Sequence, residues 1–139
     1  MRVVLDTNVF VSAAIQNGTS HEIVQHLIRD KSDELIICDE ILSELRDVLV
    51  SRPRLRKWIS LDDAERFVEM LQLRFNFVPN PTDIIQISRD SDDDYILALA
   101  QRERADYVIS GDKDLLVLQI PDFSIVTPAE FVTILKTNS

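Results

Sequence analysis

The chain has 139 residues, 45% of them hydrophobic and 28% charged, with only 2 glycines and 5 prolines, a composition that excludes disordered, collagen-like and disulfide-dependent classes. At this length folding buries roughly two-thirds of the unfolded chain's surface, so a single self-sufficient domain over residues 1–139 is expected. Fifteen basic residues against 24 acidic ones give a formal charge of −9, which repels polyanions and argues against DNA binding through bulk charge.

No apolar run approaches the roughly 20 residues that a membrane-spanning helix needs. Asp6 also places an acid where a signal peptide would still be hydrophobic. The single cysteine, Cys38, has no thiol neighbour for a disulfide or a zinc knuckle. A cytoplasmic protein without a membrane partner is expected.

In chain order, Arg2 to Leu5 is a short apolar strand closed by Asp6-Thr7-Asn8, and Val9 to Ile15 is apolar enough for a buried helix. Thr19 and Glu22 form a capping-box pattern opening an amphipathic helix through Ile28. Leu35 to Cys38 reads as a second buried strand. Asp39 then caps a helix whose Ile41, Leu42, Leu45, Val48 and Leu49 form one stripe, ending near Arg52-Pro53. A short helix over Leu55–Ile59 is followed by one capped by Ser60 and running to about Leu73, with Phe67 and Leu71 inward. Phe75 to Val78 resembles a strand end, Asn80-Pro81-Thr82 breaks the chain, and Ile84 to Ile87 suggests a brief strand. Asp90-Ser91-Asp92-Asp93-Asp94 leads into a helix rich in alanine and leucine; Tyr107 to Ser110 is a strand closed by Gly111-Asp112-Lys113-Asp114. A last strand near Ser124–Val126 meets Thr127-Pro128, a cap with proline at the first helical position. Strands that are continuous apolar runs, alternating with helices, imply an α/β fold: a three-layer α/β/α sandwich around a mainly parallel sheet.

In such sheets ligands gather beyond the carboxyl ends of the strands, where Asp6 and Asp112 fall. Asp6 could equally be a helix cap, and Asp112 a turn residue. Glu44 borders the apolar stripe of its helix and either reaches water or points into a polar pocket. Asp92, Asp93 and Asp94 open one helix, although a helix amino terminus stabilises only about 0.3–1 kcal/mol per negative group; cation binding accounts better for three adjacent carboxylates. Acids without histidine or cysteine at ligand spacing favour Mg²⁺ or Mn²⁺, which suits hydrolysis of a phosphate ester by metal-activated water. A calcium loop starting at Asp90 fails, because Tyr95 stands where its glycine belongs and Gln101 where its closing glutamate belongs. His21 and His26 share no helical face and read as surface residues.

Taken together, Leu5-Asp6-Thr7-Asn8-Val9-Phe10, Leu42-Ser43-Glu44-Leu45, Asp93-Asp94-Tyr95-Ile96-Leu97-Ala98-Leu99-Ala100 and Ile109-Ser110-Gly111-Asp112-Lys113-Asp114-Leu115 resemble the PIN-domain ribonucleases, close to the VapC-like toxins of toxin–antitoxin pairs. The resemblance implies a PIN-like fold, Mg²⁺-dependent endonucleolytic cleavage of RNA, and metal binding and catalysis by Asp6, Glu44, Asp94 and Asp112, with Asn8, Asp93, Ser110 and Asp114 in support. Asp94 is preferred to Asp93 because it directly precedes the Ile-Leu-Ala-Leu-Ala run. The same likeness implies an antitoxin partner and a homodimer. Arg52, Arg54, Arg56 and Lys57 form a basic cluster suited to phosphates flanking the scissile bond, or alternatively a solvated helix end. Trp58 and Ile59 beside it suit either core or a partner surface.

Two rival functions are a catalytically idle PIN-like binding module, which would lack one of the acids, and a metal-dependent phosphatase of another family. A haloacid-dehalogenase-like phosphatase requires a second aspartate two residues after the first, where this chain has Asn8. A receiver domain would carry paired acids near its first strand, and none are present.

Overall fold

The computed structural model describes residues 1–87 and 91–138. Five strands, β1 (Arg2–Leu5), β2 (Glu34–Cys38), β3 (Phe77–Val78), β4 (Tyr107–Ile109) and β5 (Ser124–Val126), form one sheet in the order β3-β2-β1-β4-β5. Every pairing is parallel, with Val4 beside Ile36 on one side and Val108 on the other. Val3, Val4 and Leu5 are completely buried, as expected for a strand covered on both faces.

Helices α1 (Thr7–Ile15), α2 (Thr19–Arg29), α3 (Asp39–Ser51) and α4 (Leu61–Arg74) lie in the first two crossovers, with a 3-10 helix at Pro53–Lys57 between the last two. α1 packs on α2 and α3, and α3 on α4. The next crossover runs from β3 past β2 and β1 to β4. Its helix α5 (Ser91–Arg102) packs on β1 and β4, and right-handed crossovers place it on the opposite face from α1–α4. The short α6 (Lys113–Leu116) joins β4 to β5, and α7 (Pro128–Thr137) packs on α2. Phe131 of α7 meets Tyr107 edge-on at 5.7 Å between ring centroids.

Local chemistry sets several boundaries. The Ser60 hydroxyl accepts from the Asp63 amide, and Thr127 with Glu130 forms a full capping box ahead of Pro128. Two expected caps do not form. Gly18 is the cap of α2, itself an acceptable residue there, so Thr19 already lies inside the helix and caps nothing. β2 runs straight into α3 through Cys38, which leaves Asp39 in the first turn, where its charge favours the helix dipole. The expected strand over Ile84–Ile87 is absent. Asp83 adopts a left-handed conformation (φ 55°), and the Ile87 amide bonds to Asp94 Oδ1 at 2.8 Å instead of to a strand. Phe67, expected in the core, is half-buried and lines a surface cavity. Asp90 lies outside the described residues. Among those described, no helix is long and apolar enough to cross a membrane.

Candidate metal and phosphate site

The chain leaves β1 for one side of the sheet and β4 for the other, so a crevice opens between their carboxyl ends, at the switch point where ligands bind in open α/β sheets. The register pairs Leu5 with Ile109, and the Asp6 amide bonds to the Ile109 carbonyl at 3.0 Å. Asp6 and Ser110 therefore emerge side by side. The fully buried Ser110 donates its hydroxyl to Asp6 Oδ2 at 2.8 Å and accepts the Asp112 amide at 3.0 Å. Asp112 Oδ1 in turn accepts the Asp114 amide at 2.9 Å, capping α6. One buried hydroxyl thus links the first strand's acid to the fourth strand's turn.

Asp6 sits at the cap position of α1 without making a capping hydrogen bond. Burial pushes its carboxyl above the ordinary range; the Ser110 hydroxyl and the Asn8 and Thr7 amides pull it back in part, while the nearby Asp112 charge adds to the rise. A carboxyl whose ionisation is opposed by burial and by a neighbouring acid, in a site that offers oxygen donors, suits a hard divalent cation.

α5 starts at the same edge because it must return to the amino end of β4. Asp93 and Asp94 are both buried there, at 5% and 4% exposure, so burial does not separate them, and Asp94 spends Oδ1 on the Ile87 amide. Glu44 lies exposed in the second turn of α3. It lines a cavity of about 530 Å³ with Asp92, Glu40, Asp47 and Arg52. The structure therefore joins Asp6, Ser110, Asp112 and Asp114 in one hydrogen-bonded unit, sets Asp93 and Asp94 at the same sheet edge, and turns Glu44 toward Asp92. Asn8 is exposed on the first turn of α1.

Among the described residues, the only three metal-capable side chains whose ligand atoms fall within 4.8 Å of one another are His26, Asp30 and Asp33. They stand at the sheet's opposite end, before β2. Asp33 already takes the Met1 ammonium and His26 Nε2, both at 2.7 Å, so this group is an ion-paired staple. His26 is thus not the plain surface residue expected from sequence; His21 Nδ1 lies 3.4 Å from the Ala13 carbonyl oxygen.

Sequence reasoning counted Asp92 among the three adjacent acids without a role of its own, and gave none to Glu40 or Tyr95. The Tyr95 hydroxyl lies 3.2 Å from Cys38 Sγ. Burial, then Cys38 and the Glu40 carboxylate, push its ionisation far up, so the phenol stays protonated. Periodicity did carry a signal for Asp93, which stands three, four and seven residues before the buried Ile96, Leu97 and Ala100. The basic cluster divides: Arg52 faces the Glu44 cavity, Arg54 is exposed, and Arg56 and Lys57 line a different cavity with Trp58.

Residues 2–114 match the PIN domain family, a span that includes every candidate acid of the site. The chain belongs to the PIN domain family. This membership sets aside a phosphatase of another family. The PIN domain is also 31% identical over 144 residues to an uncharacterized protein, MJ1680, of Methanocaldococcus jannaschii, covering 95% of this chain and 90% of that protein. Its fold is similar, with a TM-score of 0.65 and 15% identity over 91% of this chain and 98% of the other, to a chain in the crystal structure of VapBC2 from Rickettsia felis bound to a DNA fragment from their promoter.

Proposed function

We propose that this PIN domain is a Mg²⁺- or Mn²⁺-dependent endoribonuclease and the toxin of a toxin–antitoxin pair, acting as a homodimer in the cytoplasm. One observation carries the reading: Asp6 and Asp112, linked through buried Ser110 at the β1/β4 switch point, form an all-oxygen donor set whose mutual repulsion a cation would relieve. The likeness to VapBC2 supports an antitoxin partner. Asp6, Asp94 and Asp112 would hold the ion, with Asp93 and Asp114 in support, and Glu44 would approach from α3. A bound divalent cation supplies Lewis acidity that activates water and offsets charge on the phosphate. Ser110 fixes the orientation of the Asp6 carboxylate and so ties the end of β1 to that of β4, while the bond it accepts from the Asp112 amide holds the turn after β4. Asp94 anchors the approach to α5 through the Ile87 amide.

Incubating the protein with a mixed RNA pool, with and without Mg²⁺, tests this reading. Cleavage that needs the ion and disappears in Asp6→Asn supports it. Absence of cleavage, together with tight capture of a protein expressed from the adjacent reading frame, supports the idle binding module instead.

A further inference from the structure

On the flank of the molecule, between the end of α1, the 3-10 helix and α4, lies a cavity of about 600 Å³ lined by Arg56, Lys57, Trp58, Arg66, Phe67 and Met70, with Ala14 and Asp63 at its margin. Three cations here face one carboxylate, in a chain of net charge −9. Arg56 and Lys57 form no ion pair among the described residues, and Arg66 reaches only the exposed Asp63, at 3.4 Å. Arg56 is pinned by a hydrogen bond from Nη2 to the Leu49 carbonyl, while its buried Nε and Nη1 find no acceptor among the described residues. A half-buried guanidinium held in place without an acid partner favours an anion nearby. Trp58, the chain's single tryptophan, is 64% exposed beside it, while its neighbour Ile59 is buried.

Cations and an exposed aromatic face are the two elements that bind single-stranded nucleic acid: one takes the phosphate, the other stacks the base. We propose that this cavity is a nucleotide subsite for single-stranded RNA, with a base on Trp58 and its phosphate between Lys57 and Arg66 over the charge of Arg56. The proposal rests on the ribonuclease reading and adds a defined place for the strand away from the acids. Ala14 lies eight residues beyond Asp6, or about 12 Å along α1, so a strand cut at the crevice reaches the cavity within a few nucleotides. An acidic peptide would satisfy the cations but would leave the indole face without a stacking partner.

Trp58 reports on its own occupancy. Titrating metal-free protein with a short oligouridylate should quench its fluorescence to saturation, and polyglutamate of equal charge should not. Lys57→Gln with Arg66→Gln should weaken binding about tenfold or more and flatten the salt dependence, each lost phosphate contact lowering the slope by about 0.7. Trp58→Leu, followed with labelled RNA, should weaken binding about tenfold and raise the KM for cleavage, with an unchanged melting temperature. Equal quenching by polyglutamate overturns the proposal. So does wild-type RNA affinity in Trp58→Leu, including the case where sedimentation shows an altered oligomer, because the cavity would then be a protein interface. If cleavage persists with unaltered KM in Trp58→Leu, the subsite fails and the ribonuclease reading stands. Tight RNA binding at Trp58 without cleavage under any metal condition would leave the subsite standing and defeat the ribonuclease reading.

Discussion

Ser110→Ala separates an assembled site from an incidental turn. The hydroxyl makes two hydrogen bonds, one to the Asp6 carboxylate and one from the Asp112 amide, at a position with no solvent exposure. Alanine leaves a partly buried carboxylate oxygen and an amide without their partner, and each such loss costs about 1–3 kcal/mol. Allowing for partial relaxation at the crevice, a deficit of about 2–4 kcal/mol is expected. With an unfolding entropy of about 2.1 cal/mol/K per residue, the melting temperature of a chain this long falls by about 7–14 °C. The deficit should depend on pH. The Asp6 carboxyl is raised above 3.8 in the folded state, so its stabilising contribution is present below 3.8 and is lost as pH rises through the folded value. Ser110 limits that loss by bonding the charged form. Removing it raises the folded value further, so the gap between variant and wild type should widen toward neutrality and narrow as pH falls toward 3.8. Thermal unfolding of metal-free protein across this range, followed by circular dichroism, measures it. A drop of less than about 2 °C, or an equal gap at acid and neutral pH, would refute the linkage of Ser110 to an ionised Asp6.

Three further outcomes are expected. Asp6→Asn in metal-free protein should be neutral or stabilising near pH 7, because it removes a repelled charge. Mg²⁺ at 100 times its dissociation constant should stabilise wild type by about 2.7 kcal/mol, about 9 °C by calorimetry, and leave this variant unmoved. Glu44→Gln should abolish most cleavage with little effect on folding, whereas Glu40→Gln should leave cleavage intact; equal, mild effects in the RNA assay would mark Glu44 as a solvated border residue. At the opposite sheet edge, burial works to raise the Asp33 carboxyl, but the Met1 ammonium and His26 together bring it below 3.8. Asp33→Asn should therefore destabilise by about 1 kcal/mol near neutrality, a deficit present above 3.8 that vanishes as pH falls through the folded value, as urea midpoints at several pH values would show.

The parallel sheet and the edge where the acids collect were legible because strand and helix periodicities differ and because β1 and β4 are continuous apolar runs that end in polar clusters. Cap positions were not: whether Gly18 or Thr19, or Cys38 or Asp39, stands at a helix entrance depends on one residue of chain direction that tertiary packing fixes. Ile84 to Ile87 has strand composition but lies after Pro81 and the left-handed turn at Asp83, so composition misled. At the site, strand adjacency makes the Asp6–Ser110–Asp112 unit, and no spacing in sequence reveals that β4, about 100 residues on, lies beside β1. Helical phase placed Glu44 at a stripe border, but only the packing of α3 turns it toward Asp92. Trp58 could equally have been core, since the short apolar pair Trp58-Ile59 after a basic run carries no periodic signal.

The most direct test is the chemistry of the RNA ends produced by wild type and Asp112→Asn with Mg²⁺ present. Hydrolysis by water at a carboxylate-held metal centre leaves a phosphomonoester on one fragment and a hydroxyl on the other, with no 2′,3′-cyclic phosphate. The account predicts those ends from wild type, their loss on chelation, and little or no cutting by Asp112→Asn. Cyclic phosphate ends, or wild-type cutting by Asp112→Asn, would contradict it.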